Sequence, residues 1–366
     1  MNNKMKISDF FVQLQQIDFA NILMLISPSI IYFTAKKPIE SNYKLRKDFK
    51  IGGVKTASLP VEVIRKFDDI NEEEILKKQF GELIMNFANT VKENIPEINL
   101  AIFLNNLNTL GTSIKSFGVS NRIFNRSTAG QYDPKKNAIE LSKDTYNLTI
   151  NHELFHASTT IIDKSTGMIY CGFQQISNKN TQIGEGLNEG YTQYLSEKYF
   201  GNNNSLITAY VYEKRIAETL EMIVGKEQMQ LFYFNANLSG LVEYLKKYAP
   251  EEEIYKFINT LDFLNEHMDD KYLIPSSKEI IKNGFEFINS FLLKTALRKN
   301  IIDNTAAQLS TEDVLKRLIP ILTLIPETVK SKNNSFQISD DKQIKDAFTS
   351  VMSEYELSDD RKTISK

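Results

Sequence analysis

The chain holds 366 residues, with 44 basic and 46 acidic side chains and a 42% hydrophobic share, enough for one large domain or two to three ordinary ones. A net charge of −2 gives no electrostatic pull toward nucleic acid, and no basic stripe interleaved with aromatics is present to bind it. The one cysteine, Cys171, excludes an intramolecular disulfide and a thiolate zinc cluster, and it reads as a small apolar filler in a strand.

Residues 8–27 predict a helix capped by Ser8, with Phe11, Leu14, Ile17, Ile22, Leu25 and Ile26 at helical spacing. Asp9 and Asp18 interrupt the opening and no small-residue cleavage site follows, so no secretory signal is read and a cytoplasmic location is expected. The stretch "FANILMLISPSIIYFTA", residues 19–35, carries no charge and precedes Lys36 and Lys37. Its 17 residues stand at the short end for a membrane span, and Asn21, Ser27, Pro28 and Ser29 interrupt it. A buried helix ending near Pro28, then a strand from Ile30 to Thr34, is the expectation. Membrane contact through 19–35 is the alternative.

Residues 36–58 are polar, contain an "IGG" turn, and read as strand or loop. Residues 71–94 predict a helix whose Ile75, Leu76, Phe80, Leu83, Ile84, Phe87 and Val91 make one apolar face. Glutamates crowd its first turn, as the helix dipole favours, and Pro96 follows its end. Residues 98–110 form an apolar run of either type. In "AGQYDPKKNAIELSKDT", residues 129–145, "DPKKN" is a turn between two short strands, and Ile139 and Leu141 alternate with polar neighbours. "SKDTYNLTINHELFHASTTII" then reads as a helix beginning at Ser142 or Asp144.

A turn at Gly167, a strand and the polar loop "NKNTQIGEG" follow. "LNEGYTQYLSEKYFG" is the next helix, closed by Gly201. Residues 205–300 carry mostly helical pattern, with breaks near Gly225, Gly240 and Pro250, and the polar last forty residues hold a helix at 341–354. No internal repeat is visible.

Two of the chain's three histidines fall inside "INHELFHAST", around a glutamate. On a helix, His152 and His156 share one face, with Cβ atoms about 5–6 Å apart, and both imidazoles reach one point. Zinc takes imidazole nitrogen at about 2.0–2.1 Å, so this spacing supplies two ligands from one rigid element. Glu153 lies about 100° round the helix, an offset that suits a group reaching a metal-activated water rather than the metal. The pattern is H-E-x-x-H, which this composition would produce by chance on the order of once in several hundred chains. Leu154 and Phe155 suit a core-buried helix, where a His-Glu-His face without a partner is costly. The bland alternative is a partly exposed helix with two unrelated histidines.

A catalytic zinc site takes three protein ligands. In H-E-x-x-H-x-x-G-x-x-H the third is a histidine, but here Thr159 and Ile162 stand at the Gly and final His positions. A later glutamate is the other route, and Glu185, Glu189 and Glu197 lie in range. Glu185 reads as loop between two glycines, and Glu197 lies two turns beyond Glu189. Glu189 opens the helix beside Gly190, which leaves room for the first helix to approach. Glu189 is the expected third ligand.

"HELFH" with "LNEGYTQYL" resembles the gluzincin class of zinc metallopeptidases, and "YDPKKNAIEL" resembles the edge-strand hairpin that zincins place before the active-site helix. The resemblance covers roughly residues 129–200, about a fifth of the chain. It implies an α+β, predominantly helical fold: residues 1–65 as an N-terminal helix and strand or loop region, 66–235 as a zincin-like catalytic core of a small mixed sheet plus the active-site helix, and 236–366 as a helical C-terminal region with a polar tail. It implies that His152, His156 and Glu189 hold one Zn2+ per chain. Glu153 would be the general base as a zinc-activated water hydrolyses peptide bonds of a peptide or protein substrate. Two features depart from the thermolysin-like members: the longer gap of 33 positions from His156 to Glu189, and Gln193 where they keep an aspartate. Gln193 can still accept an imidazole N–H through its carbonyl. The second oxyanion donor would come from Tyr191, Tyr194, Tyr212 or His267, and the substrate would add a strand alongside "NAIEL". The readings from other classes are an inactive zincin-like binding or structural protein and, should 19–35 touch lipid, a membrane-associated processing protease. An intact Glu153 argues for activity.

Overall fold

The computed structural model describes residues 82–110, 114–116, 130–141, 147–179, 181–201, 210–270 and 272–304, with short pieces between 318 and 354. The elements expected within 8–58, the start of the 71–94 helix, and Ser142 and Asp144, where the helix after the hairpin was expected to begin, lie outside these residues. The described part is α+β and predominantly helical, with three small sheets. It falls into two compact units that divide between Tyr244 and Leu245.

In the first unit, α1 (Glu82–Asn94) buries Ile84, Phe87, Ala88 and Val91, the stripe its spacing predicts, and ends before Pro96. The ambiguous run 98–110 is a helix, α2 (Leu100–Leu110). Asn99 decides this locally, since its Oδ1 accepts the Ile102 N–H at 3.2 Å and caps the first turn. A three-stranded sheet follows: β1 (Ile114–Ser116), β2 (Gly130–Asp133) and β3 (Ala138–Leu141), in the order β1-β3-β2. β2 and β3 are the expected antiparallel hairpin, and β1 pairs parallel to β3. β3 is therefore the central strand. Its "NAIEL" backbone is already paired on both sides, and the expected strand addition there is corrected: among the described residues the outer strands of this sheet are β1 and β2.

α3 (Asn147–Thr159) stops three residues earlier than its sequence predicts, and Thr160–Asp163 forms strand β4. The reason is local. Ser158 Oγ donates to the Phe155 carbonyl at 2.7 Å, Thr159 Oγ1 to the His156 carbonyl at 3.2 Å and Thr160 Oγ1 to the same carbonyl at 2.9 Å, so hydroxyls take acceptors near the helix end. The β-branched run Thr159–Ile162 then favours the extended chain. β4, β5 (Met168–Cys171), β6 (Gln174–Ile176) and β7 (Gln182–Ile183) form an antiparallel sheet in sequence order.

α4 begins at Glu185 and runs to Phe200, with Gly201 closing it through an N–H to the Glu197 carbonyl at 2.9 Å. Glu185 is thus helical rather than loop, and Glu189 lies in the second turn rather than at the opening. α5 (Val211–Val224), α6 (Lys226–Phe234) and α7 (Leu238–Leu245) complete this part of the chain. Gly225 separates α5 from α6 as expected, and the break expected near Gly240 falls at residues 235–237. Gly240 itself sits in the first turn of α7, where Asn237 Oδ1 accepts its N–H at 2.8 Å. The unit's centre is aromatic: Phe155 of α3 meets Phe87 edge-on at 5.0 Å, and Phe87 stacks on Phe200 at 5.3 Å.

In the second unit, α8 (Glu251–His267) follows Pro250 and packs against the 30-residue α9 (Pro275–Asn304). Phe257 and Phe291 stack at 4.6 Å between them. A two-stranded hairpin, β8 (Thr328–Lys330) and β9 (Ser335–Gln337), carries no signal that the sequence reading used. The described residues from 346 to 354 are helical, within the expected 341–354 helix, and Glu354 pairs with the buried Arg298 at 2.8 Å. Among the described residues no helix is long and apolar enough to cross a membrane. Residues 19–35 lie outside them.

Candidate metal centre

Every residue of α3 from Asn151 to Thr159 is buried, so the helix has no solvent face along that stretch. Phe155 fixes its rotation by entering the Phe87 cluster, and His152, Glu153 and His156 are turned elsewhere in the interior. α4 packs against this helix. His152 Nε2 lies 3.1 Å from His156 Nε2 and 3.1 Å from Glu189 Oε2, and His156 Nε2 lies 3.4 Å from Glu189 Oε1. The three donor atoms all fall within 4.8 Å of one another.

These spacings fit a tetrahedral ion. Bonds of about 2.0–2.1 Å at tetrahedral angles put neighbouring ligand atoms about 3.3–3.4 Å apart. Two imidazole nitrogens and a carboxylate are also the donor set that suits zinc. His152, His156 and Glu189 could therefore hold a divalent cation.

Among these groups alone, burial pushes the Glu189 carboxyl up, but the two imidazoles outweigh it and hold Glu189 well below the usual carboxylate range. Burial likewise pushes the His156 imidazole down, and the Glu189 carboxylate together with Cys171 more than reverses it. Both shifts record the same attraction of a buried anion for positive charge at this point.

The outer face of each histidine is also engaged. His152 Nδ1 lies 3.0 Å from Gln193 Oε1, which accepts its proton. Gln193 Nε2 donates to Glu197 Oε1 at 2.8 Å, and Lys214 Nζ on α5 donates to Glu197 Oε2 at 2.6 Å. His156 Nδ1 faces Asn188 Nδ2 at 3.1 Å and Cys171 Sγ at 3.8 Å. Asn188 is held by the Phe173 N–H, which donates to its Oδ1 at 3.0 Å. That contact needs Gly172, whose φ of 54° is left-handed and where a side chain would strike Asn188 and Tyr233. Cys171 is a buried strand residue, as read, but its sulfur borders His156.

Glu153 stands apart from the ligand triangle. Burial raises its carboxyl above the usual range, against the opposing pull of His152 and His156, and its carboxylate accepts the Tyr132 N–H from β2. Gly130 makes this approach feasible, because a side chain there would meet Thr149 at 2.8 Å and Glu153 Oε1 at 3.2 Å.

Tyr210 is the residue at the site that sequence reading passed over. Its backbone is left-handed, φ 53° and ψ 32°, at the cap of α5. Its ring stacks on His152 at 5.7 Å and 12°, and its phenol hydrogen-bonds Glu189. The nearby Glu189 charge and burial push that phenol well above the ordinary tyrosine value, so it stays a neutral donor. No spacing or composition around Tyr210 marked it. Asn188 did have a signal, as the neighbour of Glu189 in "LNEG".

The other residues named from sequence lie elsewhere. Tyr191 is fully buried, donates to Glu221 Oε2 and packs on Phe173 and Tyr233. Tyr194 is pushed up to about 12 by burial and meets Glu221 and Lys198 at 2.9 Å each. Tyr212 is buried beside Glu213. His267 belongs to the second unit and pairs with Asp270 at 3.3 Å. Glu185 is half-buried at the head of α4, where its Oε2 accepts from Gln182 Nε2 at 2.5 Å. Gly190 does face a close neighbour, but a side chain there would strike the backbone of Glu213 on α5, not α3.

No family model, no curated protein and no solved structure matches the chain.

Proposed function

We propose that the chain is a zinc-dependent metallopeptidase of gluzincin type, built on a zincin-like core of the β2–β3 hairpin, α3 and α4. One observation carries the reading. Two imidazoles and a carboxylate converge with tetrahedral spacing, while a fourth buried group, the acid Glu153, is held out of the triangle by β2. A purely structural ion has no use for that acid.

His152, His156 and Glu189 would hold the zinc, which when bound would supply a Lewis acid for activating water and polarising a carbonyl. Glu153 takes a proton from the attacking water and passes it to the leaving amine nitrogen, so that H and OH are added across the broken C–N bond. Its raised carboxyl pKa brings it nearer to matching that exchange near neutral pH. Tyr210 offers its phenolic O–H to the developing oxyanion, in place of the four donors named from sequence. An extended peptide pairs along the outer edge of β2, beside the Tyr132 N–H that Glu153 accepts.

The test is metal analysis of the purified chain beside Glu189→Ala. One zinc per parent chain is expected, and its loss from the variant. A parent purified from zinc-supplemented medium without zinc, or a variant that keeps a full complement, overturns the reading.

A further inference from the structure

The acceptor behind His152 is a neutral amide, and this has a consequence. A carboxylate in that place would accept the imidazole proton through either oxygen. Gln193 can serve only one way round, with its carbonyl toward the ring. Something must therefore decide which way it faces.

Glu197 is placed to do so. Gln193 Nε2 lies 2.8 Å from Glu197 Oε1, and an ionised carboxylate accepts hydrogen bonds but has none to give. It therefore requires the Gln193 NH2 on its own side and sends the carbonyl to His152 Nδ1 at 3.0 Å. That carbonyl in turn takes only an N–H. A neutral imidazole has one proton, so with Nδ1 protonated Nε2 keeps its lone pair, and Nε2 is the atom directed at His156 and Glu189. Lys214 Nζ, at 2.6 Å from the second Glu197 oxygen, anchors the chain of contacts on α5.

We infer that Glu197 is a positioning residue for the metal centre: acting through the Gln193 amide, and held by Lys214, it selects the His152 tautomer able to bind a cation through Nε2. This rests on reading His152, His156 and Glu189 as a metal site. The competing account is that Glu197 and Lys214 merely form an ion pair between α4 and α5. Their side chains are 28% and 24% exposed, and a pair of that kind contributes little to stability.

Three variants separate the accounts. Glu197→Gln keeps the shape but offers an amide that donates or accepts, so Gln193 loses its one-way partner. Lys214→Gln removes the ion pair and leaves the carboxylate. The double variant Gln193→Glu with Glu197→Gln restores an acceptor at His152 that needs no orienting and gives it an amide donor from 197. Zinc affinity is read by competition with a chelating indicator. Glu197→Gln is expected to bind about 10-fold more weakly, the lower end for outer contacts to a metal-bound histidine. Lys214→Gln is expected to lose much less, and the double variant to return to the parent affinity.

A second readout needs no metal. With three histidines in the chain, 15N spectra of the chelator-treated protein resolve the His152 tautomer. The parent and Lys214→Gln should protonate Nδ1, and Glu197→Gln should add a population protonated at Nε2. Equal zinc loss in Glu197→Gln and Lys214→Gln, no loss in either, or a double variant as weak as Glu197→Gln overturns the assignment. A parent that binds no zinc sinks the metal centre itself, and the tautomer spectra then still decide whether Glu197 orients the ring.

Discussion

Two helix pairs in this protein bury their contact faces with opposite chemistry. α8 and α9 meet through Phe257, Leu261, Leu264, Phe285 and Phe291, all essentially without solvent exposure. α3 and α4 bury His152, Glu153, His156, Asn188, Thr192 and Gln193. Removing polar groups from water is costly unless each finds a partner, whereas removing aromatic surface is favourable at about 25 cal/mol per Å2. The α8–α9 pair is thus built for stability. The α3–α4 pair carries a polar load that stability alone does not explain: Gln193 and Asn188 stand against the two imidazoles, and Thr192 bonds Tyr233.

The comparison breaks most visibly at Glu153. Glu153→Gln should lower peptide hydrolysis by about 10²–10⁴-fold, the usual contribution of a positioned acid-base group, and should keep zinc. Its metal-free form should melt no lower than the parent, because a neutral amide is less costly to bury than a carboxylate that burial already penalises. Unchanged turnover removes the base from the mechanism. The counterpart in the other pair is Phe257→Ala, which should cost about 3–5 kcal/mol in denaturant unfolding, because it empties the stack with Phe291. A cost as small as that of a surface change, about 0.5 kcal/mol, would mean that this face is not the core it resembles.

The two pairs also differed in how far the sequence disclosed them. The convergence of His152, His156 and Glu189 was legible because a metal-ligand pattern limits residue type and spacing so tightly that a few positions suffice, even with the last two 33 positions apart. α1 was legible for another reason, a single apolar stripe that includes Phe87 and Val91. The end of α3 was not, because hydrophobic pattern says nothing of Ser158, Thr159 and Thr160 turning their hydroxyls back on the helix. β3 read as an exposed hairpin strand because its parallel partner β1 lies more than twenty residues away and leaves no mark in the local alternation. Tyr210 was invisible for the same reason in sharper form. One aromatic residue in a left-handed conformation reaches the site through tertiary structure alone.

Tyr210 supplies the next smaller effect. If its phenol steadies the oxyanion, Tyr210→Phe should lower kcat by about 10²–10³-fold while zinc stays bound, since the ring still stacks on His152. Steady-state kinetics on a peptide substrate with the variant's zinc content measured beside it decide the point. A kcat equal to the parent's would assign Tyr210 to packing and place it with the α8–α9 kind of residue.

Gly190 tests whether the polar pair is held from outside. Alanine in place of glycine inside a helix ordinarily gains about 1 kcal/mol. At Gly190 the new methyl would run into the backbone carbonyl of Glu213, three residues beyond Tyr210, and a backbone cannot turn aside as a flexible side chain can. Overpacking of this kind costs about 1–3 kcal/mol, so the net change in Gly190→Ala should be a modest destabilisation. The displacement also has a direction. It pushes the first turn of α5 away from α4, which carries Tyr210 off His152 and Lys214 away from Glu197, while His152, His156 and Glu189 stay on their own helices. Hydrolysis should therefore fall more than zinc affinity does. If unfolding shows Gly190→Ala to be as stable as the parent and both properties hold, α5 moves freely over α4, and the order of the site resides in α3 and α4 alone.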